Sequence, residues 1–495
     1  MRTRPRKIQF LRLFGWVVGG LLTQACTDSG APSGEAARVV SADLAIVGAS
    51  LIDGTGSPVR SDVTILVEGA NVVAVGGVER LEVPTGTQII DGRGKFVMPG
   101  LVDLHVHFGR GAPLPRRDDE AEVVLARLLA HGVTSILQLG ASDGGASRIL
   151  ELQRLLGEGS ILGPHLYGSG GHLTLQGSHP VYTLFPPAVR GAADTLASET
   201  PLEQPVDLAP LGIGVTLVRT PAAARQAVRD RVEAGMDVIK ITVESGPTPF
   251  GDDHPQMSVE MVQAIVEEAG LGGLRVFAHV SSLDELETAV RGGAHGVVHT
   301  VRNLPLPEDA TIRRLSTSGF FVMPTLSLYA EPPPLDDPIL RRSTSEEELR
   351  ALSNPAFRDR VEGRWTCCAP FEEVLRSVGA MHARGVPIVL GTDTGNPYIF
   401  AGYQVHRELE LLVEAGLEPM EALVAATSRA AEFLGQEAVF GTVEVGKRAD
   451  LLILDRNPAE DIRNTRALIM VLRAGVVVDL EEARRRSTSS STRPP

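Results

Sequence analysis

Cysteine is scarce, with three in 495 residues, which excludes a scaffold built on disulfides. Long apolar runs are lacking too. The one such stretch, residues 13–22, is too short to span a bilayer comfortably, and a multi-span membrane protein is excluded. Positive charge is in deficit: 47 Lys and Arg stand against 61 acidic residues, a formal charge of −14. Five of the basic residues fall in the first 25 positions, where there is no acid, so the remainder is more acidic still. Such a body repels phosphate backbones, and nucleic acid is not an expected partner. No Walker-type loop occurs, and SGGHLT at 169–174 is not a dinucleotide fingerprint. What is present is ordinary globular composition, 43% apolar and 22% charged, which excludes disorder and collagen-like repeats. The length suits about three domains of ~150 residues, or one large barrel with an accessory layer.

The N-terminus reads as an address. Arg2, Arg4, Arg6, Lys7 and Arg12 precede the apolar stretch, and Thr23-Gln24-Ala25-Cys26 follows it. A charged region, a short apolar region and a small residue before the cut describe a secretory signal over residues 1–25. Cys26 resembles the lipid-modified cysteine of bacterial lipoproteins, followed by a Ser/Gly/Pro-rich tether over 26–41. The expected location is the periplasm or cell envelope, with a lipid anchor in the outer membrane; a plainly cleaved signal is the alternative. Cys367 and Cys368 are adjacent, where a disulfide strains the backbone, and are expected to be free.

Two strand-rich segments bracket an alternating middle. Residues 42–95 and 439–480 show short alternating strands and Gly- or Asn-marked turns, and the two ends are expected to meet in one small β-sandwich. Between them, over 96–438, apolar strands are expected at 102–108, 134–139, 165–169, 237–243, 275–279, 296–299, 321–326 and 387–391. Helices intervene, for example at 259–269 and 283–291. Eight such units make a (β/α)8 TIM barrel, an α/β fold with reactive groups at the C-terminal strand ends. Two long connections, 173–209 and 328–366, are candidate lids. Residues 481–495 read as a disordered tail.

The chemistry sits at those strand ends. In 102–108 the period of two places Asp103, His105 and His107 on one face, with Leu104, Val106 and Phe108 on the other. Two imidazoles on one side of a strand can share a metal. Lys240 lies mid-strand in an apolar segment, where its charge is costly to desolvate. It either pairs with an acid or loses its charge, and reaction with CO2 does the latter while creating an anion able to bridge two cations. His279 and His299 end the next two strands, and Asp393 follows the last one. Together the six describe a two-metal hydrolytic site.

With VMPGLVDLHVHF, GVTSILQLG, GMDVIKITVESG, GLRVFAHV, GVVHT, GTDTG and GTVEVGKRADLLILD, the chain from about 42 to 478 resembles the amidohydrolase superfamily, in its prolidase-like and imidazolonepropionase-like branch. The resemblance implies His105 and His107 as ligands of a first metal, and His279 and His299 as ligands of a second. Carboxylated Lys240 bridges the pair, and Asp393 binds the first metal and shuttles the proton. The cations are expected to be Zn2+, about 3.5–4 Å apart, activating a water between them. His172, in SGGHLTLQGSHP, Arg110 and Tyr329 are candidate substrate contacts. Tyr182, Tyr398 and Tyr403, with Tyr329, fall in expected upper loops and suggest a pocket wall. His254 and His406 are read as structural.

The expected substrate is a small molecule, a dipeptide of Xaa-Pro or Xaa-Arg type or an N-acyl amino acid, cleaved at its amide C–N bond. Cyclic amides, lactones and phosphotriesters suit the same ligands, whereas single-metal deaminases normally do without the lysine. An inactive envelope binding protein is the reading of another class, and an oligomer is compatible with all of these.

Overall fold

The computed structural model of this chain describes residues 41–108, 120–140, 145–245, 254–362 and 369–488. The expected signal, Cys26, the tether, Arg110 and the Cys367–Cys368 pair lie outside them. No helix among the described residues is long and apolar enough to cross a membrane.

Five strands come first: β1 (Leu44–Leu51), β2 (Arg60–Glu68), β3 (Asn71–Gly77), β4 (Gln88–Asp91) and β5 (Phe96–Pro99). β6 (Leu101–Val106), β7 (Val133–Gln138), β8 (His165–Gly168) and β9 (His172–Leu175) follow, then the hairpin of β10 (Val206–Asp207) and β11 (Val215–Val218). β12 (Val238–Thr242), β13 (Arg275–His279), β14 (Gly296–Val298) and β15 (Phe321–Met323) come next. The chain ends with β16 (Leu451–Leu454), β17 (Leu468–Arg473) and β18 (Val476–Val477).

The two ends of the chain share one sheet, ordered β18-β17-β16-β5-β1-β2-β3 with β4 beside β1. β16 runs antiparallel to β5, with Leu451 opposite Pro99 and Leu454 opposite Phe96. Alternation buries Ile46, Leu51, Ile65, Val97, Ile453 and Leu472 in a common cluster drawn from both ends. Each such side chain contributes roughly 1.5–3 kcal/mol relative to exposure.

The middle of the chain forms parallel ladders. β6, β7 and β8 pair in order, and β9, β12, β13, β14 and β15 pair in a second sheet with β11 and β10 on its outer edge. Helices separate the strands, among them Glu120–Ala130 after β6, Val259–Leu271 after β12, Leu283–Arg291 after β13 and Phe371–Ala383 after β15. Asp237 joins the sheets: its N–H donates to Gly168 O at 3.0 Å, and its carboxylate accepts from Gly168 N–H at 2.8 Å. Residues 387–394 join the other edges. Val389 N–H donates to Val322 O, Leu104 N–H to Leu390 O, and His107 N–H to Thr394 O. This last segment makes single bridges, Ile388 with Val322 and Thr394 with Val106, in place of the expected continuous strand. Val102, Leu137, Val238, Phe277, Val298 and Val389 form one buried cluster across β6, β7, β12, β13, β14 and the 387–394 segment, and Phe433 stacks on Phe277 with centroids 3.7 Å apart.

Four expectations change. Leu104 does not share a cluster with Val106 and Phe108; it packs with Val102 and Leu137, because the β6–β7 register shifts between Asp103 and Val106. Such irregularities re-aim side chains beside functional sites. The 173–209 connection is not a bare loop: it begins within β9, carries the helix Pro187–Glu199 and has its own apolar cluster around Val181, Leu208 and Leu217. Residues 481–488, expected in the disordered tail, belong to the helix Leu480–Thr488, with Ala483 and Ser487 fully buried. Tyr398 and Tyr403, expected in a pocket wall, are buried with Leu340, Leu352 and Phe400, their hydroxyls bonded to Leu352 O and the Asp337 carboxylate.

Candidate metal centre and active site

Five of the six expected ligands lie at the C-terminal end of, or just beyond, an extended segment, and Lys240 sits in the middle of one. His105 lies in β6 with His107 just past it, Lys240 lies in β12, His279 ends β13, His299 follows β14, and Asp393 follows the 387–391 segment. Five of the six are buried and His107 is half-buried. His299 and Asp393 have φ of 69° and 61°, left-handed conformations that non-glycine residues rarely adopt and that cluster at functional sites.

The distances bring four of them together. Asp393 Oδ1 is 3.0 Å from His107 Nε2 and 3.4 Å from His105 Nε2, and Oδ2 is 4.0 Å from His299 Nε2. The His105 ring centroid is 5.1 Å from His107 and 5.0 Å from His299, and His279 is 4.4 Å from His299. Donor atoms of His105, His299 and Asp393 all lie within 4.8 Å of one another, as do those of His179, Glu244 and His279.

Neighbouring groups orient the rings. His107 Nδ1–H donates to Gly140 O at 2.6 Å, and its Nε2 faces Asp393 Oδ1 at 3.0 Å. His299 Nδ1 pairs with Thr325 Oγ1 at 2.8 Å. Thr325 in turn lies just before a turn whose Leu326 and Ser327 N–H groups both donate to Glu408 at 2.7 Å. His279 is the reverse case, since its Nε2 pairs with Glu244 Oε2 at 2.9 Å. Asp103 does not face the cluster. It accepts from His105 N–H, Thr392 N–H and the Thr392 hydroxyl, pinning the two ligand-bearing segments together, and burial pushes its carboxyl up to about 7.

Lys240 is fully buried, and among the described residues its Nζ has no hydrogen-bond partner. Burial lowers its pKa to about 7, against the opposing pull of Asp393 and Glu244. An amine so placed is uncharged in a large part of the population at neutral pH. Burial also drives His105, His172 and His299 well below the usual imidazole range, so they are neutral, the form that coordinates metals. Asp393 is the contrast. Burial opposes its charge, yet His105, His107 and Lys240 outweigh it and hold the carboxyl below the usual carboxylate range.

His172 belongs to this site. The chain leaves β8 through Gly170 and Gly171, and a Cβ on Gly171 would meet Gly214 O at 2.4 Å, so only glycine fits that passage. β9 then sets His172 level with Lys240 in the parallel ladder. Its Nδ1 pairs with Thr242 Oγ1 at 3.1 Å, while its buried Nε2 has no partner among the described residues. Tyr329 reaches the site through Arg302, whose Nη1 donates to the Tyr329 hydroxyl at 3.2 Å. Arg110 lies outside the described residues. His406 is buried away from the cluster against Thr465, and His254 bonds Gly177 O.

Sequence reasoning missed Glu244, His179 and Arg302. Glu244 is buried and accepts from Arg302 Nη2 at 2.9 Å as well as from His279, with His179 Nδ1 3.5 Å away. A signal for it existed, since residues 240, 242 and 244 fall on one side of an extended chain.

Buried imidazoles, an ionised carboxylate and a lysine whose charge burial disfavours, gathered on and just beyond parallel strands, mark a metal-dependent hydrolase. A model of the amidohydrolase family matches residues 96–478, and the chain belongs to that family. It is an enzyme acting on carbon–nitrogen bonds. The chain is similar to ochratoxinase of Aspergillus niger, 28% identical over 438 residues covering 83% of this chain and 81% of that protein. It is similar to imidazolonepropionase of Symbiobacterium thermophilum, 27% identical over 442 residues, 83% of this chain and 91% of that protein. Among solved structures it resembles a prolidase in complex with N-methylphosphonate-L-proline, 25% identical with a TM-score of 0.67, covering 88% of this chain and 99% of that one.

Proposed function

We propose that this enzyme hydrolyses the amide bond of a dipeptide of Xaa-Pro or Xaa-Arg type, or of an N-acyl amino acid, with two divalent cations held at the strand ends. His105, His107 and Asp393 would hold the first cation and His279 and His299 the second, and Lys240, carboxylated by CO2, would supply an anionic ligand to both. The observation that carries this reading is Lys240: a buried amine without a hydrogen-bond partner, set among neutral imidazoles and a carboxylate, is costly unless it is converted into a ligand. The donors suit Zn2+, which takes imidazole nitrogen and carboxylate oxygen. When bound, such cations polarise a carbonyl and lower the pKa of water towards ~7.

The chain's own groups do the rest. Asp393 is ionised and directed at His107 and His105, so it can take the proton of the water that adds to the scissile carbonyl. It then returns that proton to the departing amine nitrogen. Gly140, Thr325 and Glu244 hold the three orienting ring nitrogens, so the remaining lone pairs face inward. His172 keeps a buried Nε2 with no partner among the described residues, available to a bound substrate.

The parallel strands are read as a closed (β/α)8 barrel. Support comes from the bonds through Asp237 and residues 387–394, and from the apolar cluster shared by β6, β7, β12, β13, β14 and the 387–394 segment. The terminal sheet is read as a β-sandwich folded around the cluster of Ile46, Val97 and Leu472. Export, with a lipid on Cys26, is part of the proposal; Cys26→Ala is expected to move the protein from the membrane fraction to the soluble one.

A prolidase with bound N-methylphosphonate-L-proline among the similar structures favours the dipeptide class. The name imidazolonepropionase supports a second reading, a cyclic amide at the same site. Screening the metal-loaded enzyme against Xaa-Pro, Xaa-Arg, N-acyl amino acid and cyclic-amide libraries separates the two. Turnover confined to lactones or phosphotriesters contradicts both.

A further inference from the structure

We propose that Glu244 is a positioning residue for the metal centre, holding His279 with its proton on Nε2 so that Nδ1 is the nitrogen offered to the second cation. The inference rests on the two-cation reading for the identity of its target, but the arrangement itself is a matter of hydrogen bonds. An imidazole that commits one N–H to a carboxylate has its single lone pair on the other nitrogen, and such partners fix ring orientation and raise ligand basicity. His279 Nε2 is 2.9 Å from Glu244 Oε2. His107 is set the opposite way, with Nδ1 bonded to Gly140 O and Nε2 facing inward, and His299 likewise engages Thr325 through Nδ1. The rings of His279 and His299 stand 4.4 Å apart at 70°, edge to face, so both border the same space.

Glu244 is itself held against swinging away. Its second oxygen accepts from Arg302 Nη2 at 2.9 Å, and Arg302 is anchored by its N–H to Ser281 O and by the Tyr329 hydroxyl. The Ser178 hydroxyl donates to the Glu244 backbone carbonyl, tying the residue to the segment after β9. Arg302 also balances the carboxylate's charge, so the buried pair leaves the charge of the cation site to Asp393 and the bridge. The other groups around the carboxylate are His179, 3.5 Å from Oε2 and bonded to the Thr183 hydroxyl, and Lys240, whose charge it favours electrostatically.

Two measurements test this. In metal-free enzyme labelled with 15N-histidine, long-range 1H–15N spectra of wild type, assigned by comparison with His279→Gln, are expected to show His279 protonated on Nε2. Cobalt titration, followed by visible absorption and equilibrium dialysis, is expected to show the second equivalent binding about 10–100-fold more weakly in Glu244→Ala, with the first little changed. Glu244→Gln keeps an acceptor of the same shape, controls for folding, and is expected to fall between the two. A wild-type His279 protonated on Nδ1, or a Glu244→Ala protein that binds both equivalents as tightly as wild type, overturns the inference. A wild type that takes up only one equivalent fails the two-cation reading instead, and the tautomer measurement alone then decides the role of Glu244.

Discussion

An amine in the middle of a buried strand has few stable states. Water is excluded, burial holds His105, His172 and His299 in the neutral form, and Asp393 and Glu244 only partly offset the desolvation of Lys240. Lys240→Ala is expected to lose at least one cation and nearly all turnover, read by metal analysis and kcat. In metal-free protein the sign of the pH dependence is set by the lowered pKa. Below about pH 7 the folded state bears the whole cost of the buried ammonium, and that cost fades as pH rises from about 7 to the ordinary lysine value of 10.5. After chelation, Lys240→Met is therefore expected to melt above wild type at pH 6, with the gap narrowing by pH 10. An equal gap at both ends contradicts this. Asp393→Asn keeps the shape but not the base, so kcat is expected to fall by about 10²–10⁴-fold with metal content largely kept. At this scale the sequence was most legible where a polar residue interrupts an apolar strand, in its middle as at Lys240 or toward its end as at His105, His279 and His299. Glu244 lies two residues past the end of β12, and its meaning comes from pairing across to β13 and β14, which no local pattern encodes.

Three helices distant in sequence are joined by one buried ion pair. Arg127, in Glu120–Ala130, pairs with Glu348, in Glu346–Leu352, at 2.8 Å, and also donates to Ser487 O in Leu480–Thr488; both charged side chains are wholly buried. Glu348 additionally closes the capping box of its own helix with Ser345. Removing one partner strands the other charge, so Glu348→Ala is expected to cost about 3–5 kcal/mol in denaturant unfolding, whereas Arg127→Met with Glu348→Leu is expected to recover most of it. A single variant that unfolds like wild type contradicts the assignment. The helix Leu480–Thr488 was illegible because its inward positions are small, Ala483 and Ser487, while its charges pair along the surface, Arg485 and Arg486 with Glu482. No apolar period marks it. The β6 shift was illegible for a related reason, since alternation in 102–108 is regular and only pairing with β7 breaks it.

Across the whole molecule, the parallel strands and the terminal sheet were readable because their patterns repeat: short apolar strands, helices between them, and a matching strand texture at both ends. β16 against β5 shows why the two ends belong together, since each supplies part of the cluster that neither can bury alone. The passage from β8 to β9 hid its organisation behind Gly170 and Gly171, whose positive φ lets the two strands act as steps of one path into the site. Because binding favours the folded state, chelation is expected to lower the melting temperature and Zn2+ to restore it. The most direct measurement is the number of divalent metal ions per chain, by mass spectrometry of enzyme prepared without chelator, for wild type and Lys240→Ala side by side. Two ions in the wild type and at most one in the variant is the expected result; fewer than one in the wild type, or two in an equally active variant, contradicts the account.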